Sequence, residues 1–237
     1  GKQMPKFKTE ELKVEDQYKL MSGSIIPRPI ALVSTLGPDG YNAAPFSFFN
    51  CIGVSPPMFM ISCSPRDGLG GSKKKNNVKD TVANLRHCPE MVVHIVDYDL
   101  RNRMNVCAHD VDSSVDEIEE AGFTMQESEV VKPPRLAECR VQFESKLLDI
   151  HEMGKLPYYL ILGEVVYFHI SDSVINDELH IDPNSLDALG RLAGSGGYTR
   201  ILDNFVMQRF HPPGSSPPGD IFEAAKAAAK LDRKLKI

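Results

Sequence analysis

The sequence predicts a mainly β fold with peripheral helices, an α+β barrel, and three observations carry that prediction. Runs rich in β-branched and aromatic residues recur along the chain, bounded by glycine, proline and aspartate turn chemistry. Between several of them the apolar spacing lengthens to that of a helix, as at Val78, Val82 and Leu85. At 237 residues and 42% hydrophobic content, the chain carries enough apolar surface for one substantial core.

Residues 1–14 are charged and poorly patterned and read as an N-terminal arm ahead of a domain over 15–210. A short helix or turn is expected at 16–21. Residues 30–36 form an apolar strand, and Gly37-Pro38-Asp39-Gly40 reverses the chain into a second strand at 41–46. A third strand follows at 57–63, ended by Ser64-Pro65-Arg66-Asp67-Gly68. Lys79 and Thr81 then sit in the opening turn of a helix that runs through residue 87.

Residues 91–96 return to strand, and Leu100, Met104 and Cys107 mark a further helix. Residues 139–150 and 158–170 are long β-rich runs, joined as antiparallel neighbours through a turn at Met153-Gly154. Gly163 inside the second run predicts a bulge or the close approach of another backbone. The bend Gly194-Ser195-Gly196-Gly197 precedes a last strand over 198–210. Several strands with helices outside them describe a barrel decorated by α segments. Residues 211–219 are a Pro/Gly/Ser linker by composition. Residues 220–237 read as a C-terminal helix whose weak apolar face suits its own barrel or a partner subunit, with a half-ordered tail as the alternative.

Composition narrows the function classes. A formal net charge of −5 does not supply the basic stripe that a nucleic-acid surface needs. There is no leader pattern and no run near the roughly 18 apolar residues of a spanning helix, so a soluble, cytoplasmic protein is expected. The five cysteines are scattered, without Cys-x-x-Cys pairs or nearby histidines, and read as free thiols. No metal site is expected: His109-Asp110-Val111-Asp112 and the acidic run 116–120 fix no ligand set and read as a solvated helix face. Lys73-Lys74-Lys75 reads as a solvated loop able to steer an anion. His94 reads as a structural strand residue.

The residues after the first hairpin carry the chemistry. A flavin mononucleotide needs donors for its phosphate, polar groups for its ribityl chain and pyrimidine edge, and apolar walls for its ring system. Ser47 and Asn50 offer hydrogen bonds, and Phe48 and Phe49 offer walls. Ser62, Cys63, Ser64 and Arg66 end a strand where a phosphate has room, and Lys79 and Thr81 add a cation and a hydroxyl at a helix start. No local nucleophile motif accompanies the serines and histidines, so no catalytic side chain is nominated.

Taken in order, Pro27-Arg28-Pro29-Ile30-Ala31-Leu32-Val33-Ser34-Thr35, Asn42 to Asn50 (Asn-Ala-Ala-Pro-Phe-Ser-Phe-Phe-Asn), Lys79-Asp80-Thr81-Val82-Ala83-Asn84, Gly163-Glu164-Val165-Val166 and Gly197-Tyr198-Thr199-Arg200 resemble the flavin reductase-like family, in particular its flavoredoxin-type branch. The resemblance covers about residues 15 to 210. It implies an FMN-binding split β-barrel, commonly a homodimer with flavin sites near the subunit interface. It also implies that Arg28, Ser47, Phe48, Phe49, Asn50, Ser62, Lys79 and Thr81 surround the flavin, with Tyr198 as a neighbour. The implied activity is an FMN-dependent oxidoreductase fed by NADH or NADPH or by a redox protein. The alternative is a non-catalytic flavin-binding electron carrier or flavin store. Relatives that handle nicotinamide usually carry Gly-Asp-His before the Gly-Glu-Val strand, and residues 151–158 lack it.

Overall fold

In a computed structural model, residues 4–70, 77–108, 117–194 and 196–206 are described, and the main body of the chain ends at Asp203. The expected linker and C-terminal helix lie outside the described residues, as do residues 73–75 and 109–116. The chain enters through helix α1 (Val14–Ser24) and a two-residue strand β1 (Arg28–Pro29). Strand β2 (Ala31–Gly37) follows, and its unbroken apolar run has a simple cause: both its faces are covered. Ala31 and Val33 point into one hydrophobic cluster, Ile30 and Leu32 into another.

Pro38-Asp39 turns β2 into β3 (Gly40–Phe46), with Gly37 opposite Gly40. Gly40 takes φ 133°, a conformation that favours glycine. Strands β4 (Phe49–Val54) and β5 (Pro57–Cys63) make the next hairpin. Sequence spacing did not separate β4, because Ser47-Phe48 breaks the ladder without glycine or proline to announce a turn. Helix α2 (Asp80–His87) lays Val82 and Leu85 into the β2 cluster, and β6 (Glu90–Ile95) pairs with β2.

Helices α3 (Arg101–Val106) and α4 (Glu117–Glu120) cover the opposite cluster through Met104 and Ile118, with Leu100 just ahead of α3. The acidic run is only in part a solvated face: Glu117 and Ile118 are buried, and Glu117 accepts a 2.8 Å bond from the Asn42 amide. A short ribbon of β7 (Met125–Gln126) and β8 (Arg135–Leu136) precedes the long pair β9 (Val141–Met153) and β10 (Tyr158–Ile170). At Gly163 the register shifts, and an added Cβ would lie 2.3 Å from Phe59 Cζ. The glycine is there because the ring of β5 occupies the space of its side chain.

After helix α5 (Pro183–Leu186), β11 (Leu189–Arg191) and β12 (Tyr198–Arg200) join β1 in a small sheet. The last strand is therefore far shorter than the expected 198–210. Among the described residues its ladder partner is β11, three residues long, and no strand continues through residues 201–206.

The seven-stranded antiparallel sheet runs β3-β2-β6-β9-β10-β5-β4. Its two edge strands, β3 and β4, are consecutive in the chain and joined by Ser47-Phe48 alone. The sheet must therefore curl until its edges nearly meet, with the seam at the segment singled out by its chemistry. A 2.8 Å bond from the Ser62 N–H to the Phe48 carbonyl ties the seam to β5.

Candidate functional site

Ser47, Phe48, Phe49 and Asn50 line a cavity of about 1220 Å³ from the seam, Met60 and Ser62 from β5, and Arg28 from β1. Arg28 is buried and donates to the carbonyls of Ser22 (2.6 Å), Ile25 (3.0 Å) and Leu192 (3.2 Å) and to Ser47 Oγ (3.5 Å). Burial pushes its pKa down from the ordinary value. The guanidinium thus clamps the end of α1, the end of β11 and the seam with four of its five N–H groups. It also lies 5.6 Å from the centre of the Phe48 ring, which stacks on Tyr158 at 6.3 Å and 14°. Phe49 packs edge-on against Phe59 at 6.0 Å.

Phe46, one residue before Ser47, borders a second, smaller cavity of about 70 Å³ with Asn42, Arg66, Lys79 and Thr81. Lys79 is the N-cap of α2, and its side chain makes no capping hydrogen bond. Thr81 in the first turn is 1% exposed, and its Oγ1 has no hydrogen-bond partner. Asn42 donates its amide N–H to Glu117, and its buried Oδ1 has no hydrogen-bond partner. Arg66 forms an ion pair with Asp80.

The remaining candidates lie elsewhere. Cys63 points into the barrel core, fully buried, with its thiol against the Ser64 carbonyl at 3.5 Å. Ser64 lines neither cavity. Tyr198 lies on the β1-β11-β12 sheet under Arg191 (4.7 Å to the ring centre) and borders a separate cavity with Tyr98 and Arg101.

His94 is fully buried, with Nδ1 2.9 Å from the Leu32 carbonyl and Nε2 accepting from the Leu136 N–H at 3.0 Å. That pairing sets a neutral ring with the proton on Nδ1, and burial brings its pKa down to about 4. It lines neither cavity.

Two groups escaped sequence reasoning. Tyr158 lines the large cavity from the start of β10, and Val14, Tyr18, Met21 and Ile25 line it from α1. The second set had a signal, apolar residues on one helical face, but the charged neighbours Glu15, Asp16 and Lys19 masked it.

Residues 21–186 match the sequence profile of the flavin reductase like domain. The chain belongs to the flavin reductase-like family. An uncharacterized protein of Aquifex aeolicus is 36% identical over 192 residues, 79% of this chain and 92% of that protein. Nitrilotriacetate monooxygenase component B from Bacillus cereus has the same fold at 32% identity and a TM-score of 0.79, over 87% of this chain and all of that one. The 2-nitrobenzoate 2-nitroreductase NbaA of Pseudomonas fluorescens follows at 30% identity and 0.74, over 91% of this chain and all of that one. In this flavin reductase-like protein the expected split barrel is the observed fold, and the seam is where its family motif falls. Family membership makes a flavin the cofactor class and oxidoreduction the chemical class.

Proposed function

We propose that the protein is an FMN-dependent oxidoreductase that passes electrons from a reduced nicotinamide or a redox protein to an acceptor. The observation that carries the FMN reading is the Thr81 hydroxyl, buried and orphaned at a helix start. A buried polar group left unpaired costs on the order of 1–3 kcal/mol, which a phosphate oxygen at that point offsets. The helix start and the neighbouring Lys79 favour a dianion there. Asn42 Oδ1, the other orphan in the same cavity, is an acceptor and suits a ribityl hydroxyl. The carboxylates of Asp80 and Glu117 also border the cavity, but Arg66 pairs with the first and Asn42 donates to the second.

In the large cavity, Ser47, Asn50 and Ser62 are the groups able to bond ring or ribityl heteroatoms, and Phe48 and Phe49 are its apolar walls. When bound, the flavin supplies hydride and electron transfer, so the chain's own task is to hold, orient and shield it. Arg28 fixes the wall, and the site is read as one of two in a cytoplasmic homodimer. Oxidoreductase names among the relatives that are at least 30% identical, a monooxygenase component and a nitroreductase, support turnover. The carrier or flavin-store reading keeps one observation in its favour, the missing Gly-Asp-His at 151–158.

The protein should purify yellow. Replacing Lys79 and Thr81 together by alanine should weaken FMN at least about tenfold while riboflavin binding barely moves, since only FMN carries the phosphate. Equal losses for the two ligands refute the phosphate assignment.

A further inference from the structure

The turn between β6 and α3 presents a basic and aromatic surface that the flavin site does not use. Asp97 fixes this turn: its carboxylate accepts from the Asp99 N–H (3.1 Å) and the Leu100 N–H (3.2 Å) and pairs with Arg140 at 2.9 Å. The Tyr98 N–H donates to the Asp187 carbonyl at 3.0 Å, which joins the turn to the residues ahead of β11. Tyr98 and Arg101 then line a cavity of about 370 Å³ with Tyr198 and Arg200 of β12, and the buried Met104 and Leu189 form its apolar part. None of these residues lines the seam cavity or the one at Thr81. The size falls within the roughly 300–1,000 Å³ of small-molecule sites.

The chain carries a net charge of −5, yet among the described residues this lining holds two guanidinium groups and no carboxylate. Both rest on the Tyr98 ring, Arg101 at 4.0 Å and Arg200 at 4.2 Å from its centre. Asp187, outside the lining, neutralises Arg200 with a two-point ion pair, and Asp99 attracts it as well. Arg101 donates to the Tyr98 carbonyl at 2.8 Å, and among the described residues no carboxylate pairs with it. Its other N–H groups, the phenols of Tyr98 and Tyr198 and the carboxamide of Asn102 make the wall rich in donors. Such a wall selects a ligand that is anionic and rich in acceptors. A phosphate offers three terminal oxygens, two of which match the planar fork of an arginine. We propose that this cavity binds a small phosphomonoester with a flat organic group. The phosphate lies on Arg101, and the organic group lies on Tyr198, which Arg191 braces at 4.7 Å, and on Met104 and Leu189. Arg101 is the residue on which recognition turns.

The test titrates phenyl phosphate into the full-length protein by calorimetry, with and without one equivalent of FMN. Saturable binding is expected in both cases, because this cavity shares no lining residue with the other two. Inorganic phosphate, which has no ring, and phenol, which has no charge, should each bind at least about tenfold more weakly. Arg101→Gln removes both charge and fork and should weaken phenyl phosphate at least about tenfold. Arg101→Lys keeps the charge without the fork and should recover only part of that loss. FMN affinity, measured on its own, should change less than about twofold in either variant, since distant sites act independently. Failure of the flavin reading would show in that FMN titration, while the phenyl phosphate comparison reads out in the absence of FMN. Absence of phenyl phosphate binding, its displacement by one equivalent of FMN, or equal affinity in the unaltered protein and Arg101→Gln overturns the proposal. Inorganic phosphate binding as tightly as phenyl phosphate overturns it too, because the organic group would then have no place in the cavity.

Discussion

His94 shows how a single residue can be read for both role and pH response. In the folded chain it stays neutral, donating to Leu32 and accepting from Leu136, with its pKa down at about 4. The unfolded chain takes up that proton near pH 6.5, so the contribution of His94 is complete above pH 6.5 and is lost as pH falls toward 4. The loss amounts to about 3 kcal/mol at most. Urea unfolding across this range should show it, and His94→Asn should flatten the slope between those pH values. Gly163 is the other residue whose role is plain from one distance: Gly163→Ala brings a methyl group onto the Phe59 ring and should cost about 1–3 kcal/mol in the same measurement.

Among elements, Arg28 ties the end of α1 to the end of β11 and to the seam. Arg28→Met should leave the Ser22, Ile25 and Leu192 carbonyls without their donor, at a cost of about 2–4 kcal/mol, and open α1 to proteolysis before the barrel unfolds. A uniform loss of protection across the chain would contradict that picture. Glu144 does similar work for the 129–131 loop: burial alone would raise its pKa, but the Glu129 N–H, His169 and the Val130 N–H outweigh it and hold it below the usual range. Most elements were legible because their causes are local. Pro-Asp between two glycines makes the first hairpin wherever the rest of the chain lies, and Val78, Val82 and Leu85 make a helical face. Strand β4 and the early end of β12 were not legible, because an unpunctuated break and a three-residue partner are facts of pairing.

For the whole molecule, closing the sheet through Ser47-Phe48 is what turns a strand sequence into a site. The barrel keeps Phe46 on one cavity and Ser47 on the other, so two cavities are lined from one stretch of chain. Turnover is a property at this scale. Purified protein with added FMN should consume NADH or NADPH faster than free flavin does, and a rate no greater than that of free flavin assigns it to the carriers.

What the sequence by itself determined was the first hairpin, the helix at 80–87 and the long antiparallel pair, the family they belong to, and the residue types of the seam, since these rest on short-range sterics and residue type. Only the tertiary structure decided which candidates share a space. It brought Arg28 to Leu192, 164 positions away, put Lys79 and Thr81 beside Asn42, sent Cys63 into the core, and turned the stripe of α1 toward a cavity. Such convergence depends on how the sheet curls and closes, a balance of contacts between distant segments that no local spacing encodes.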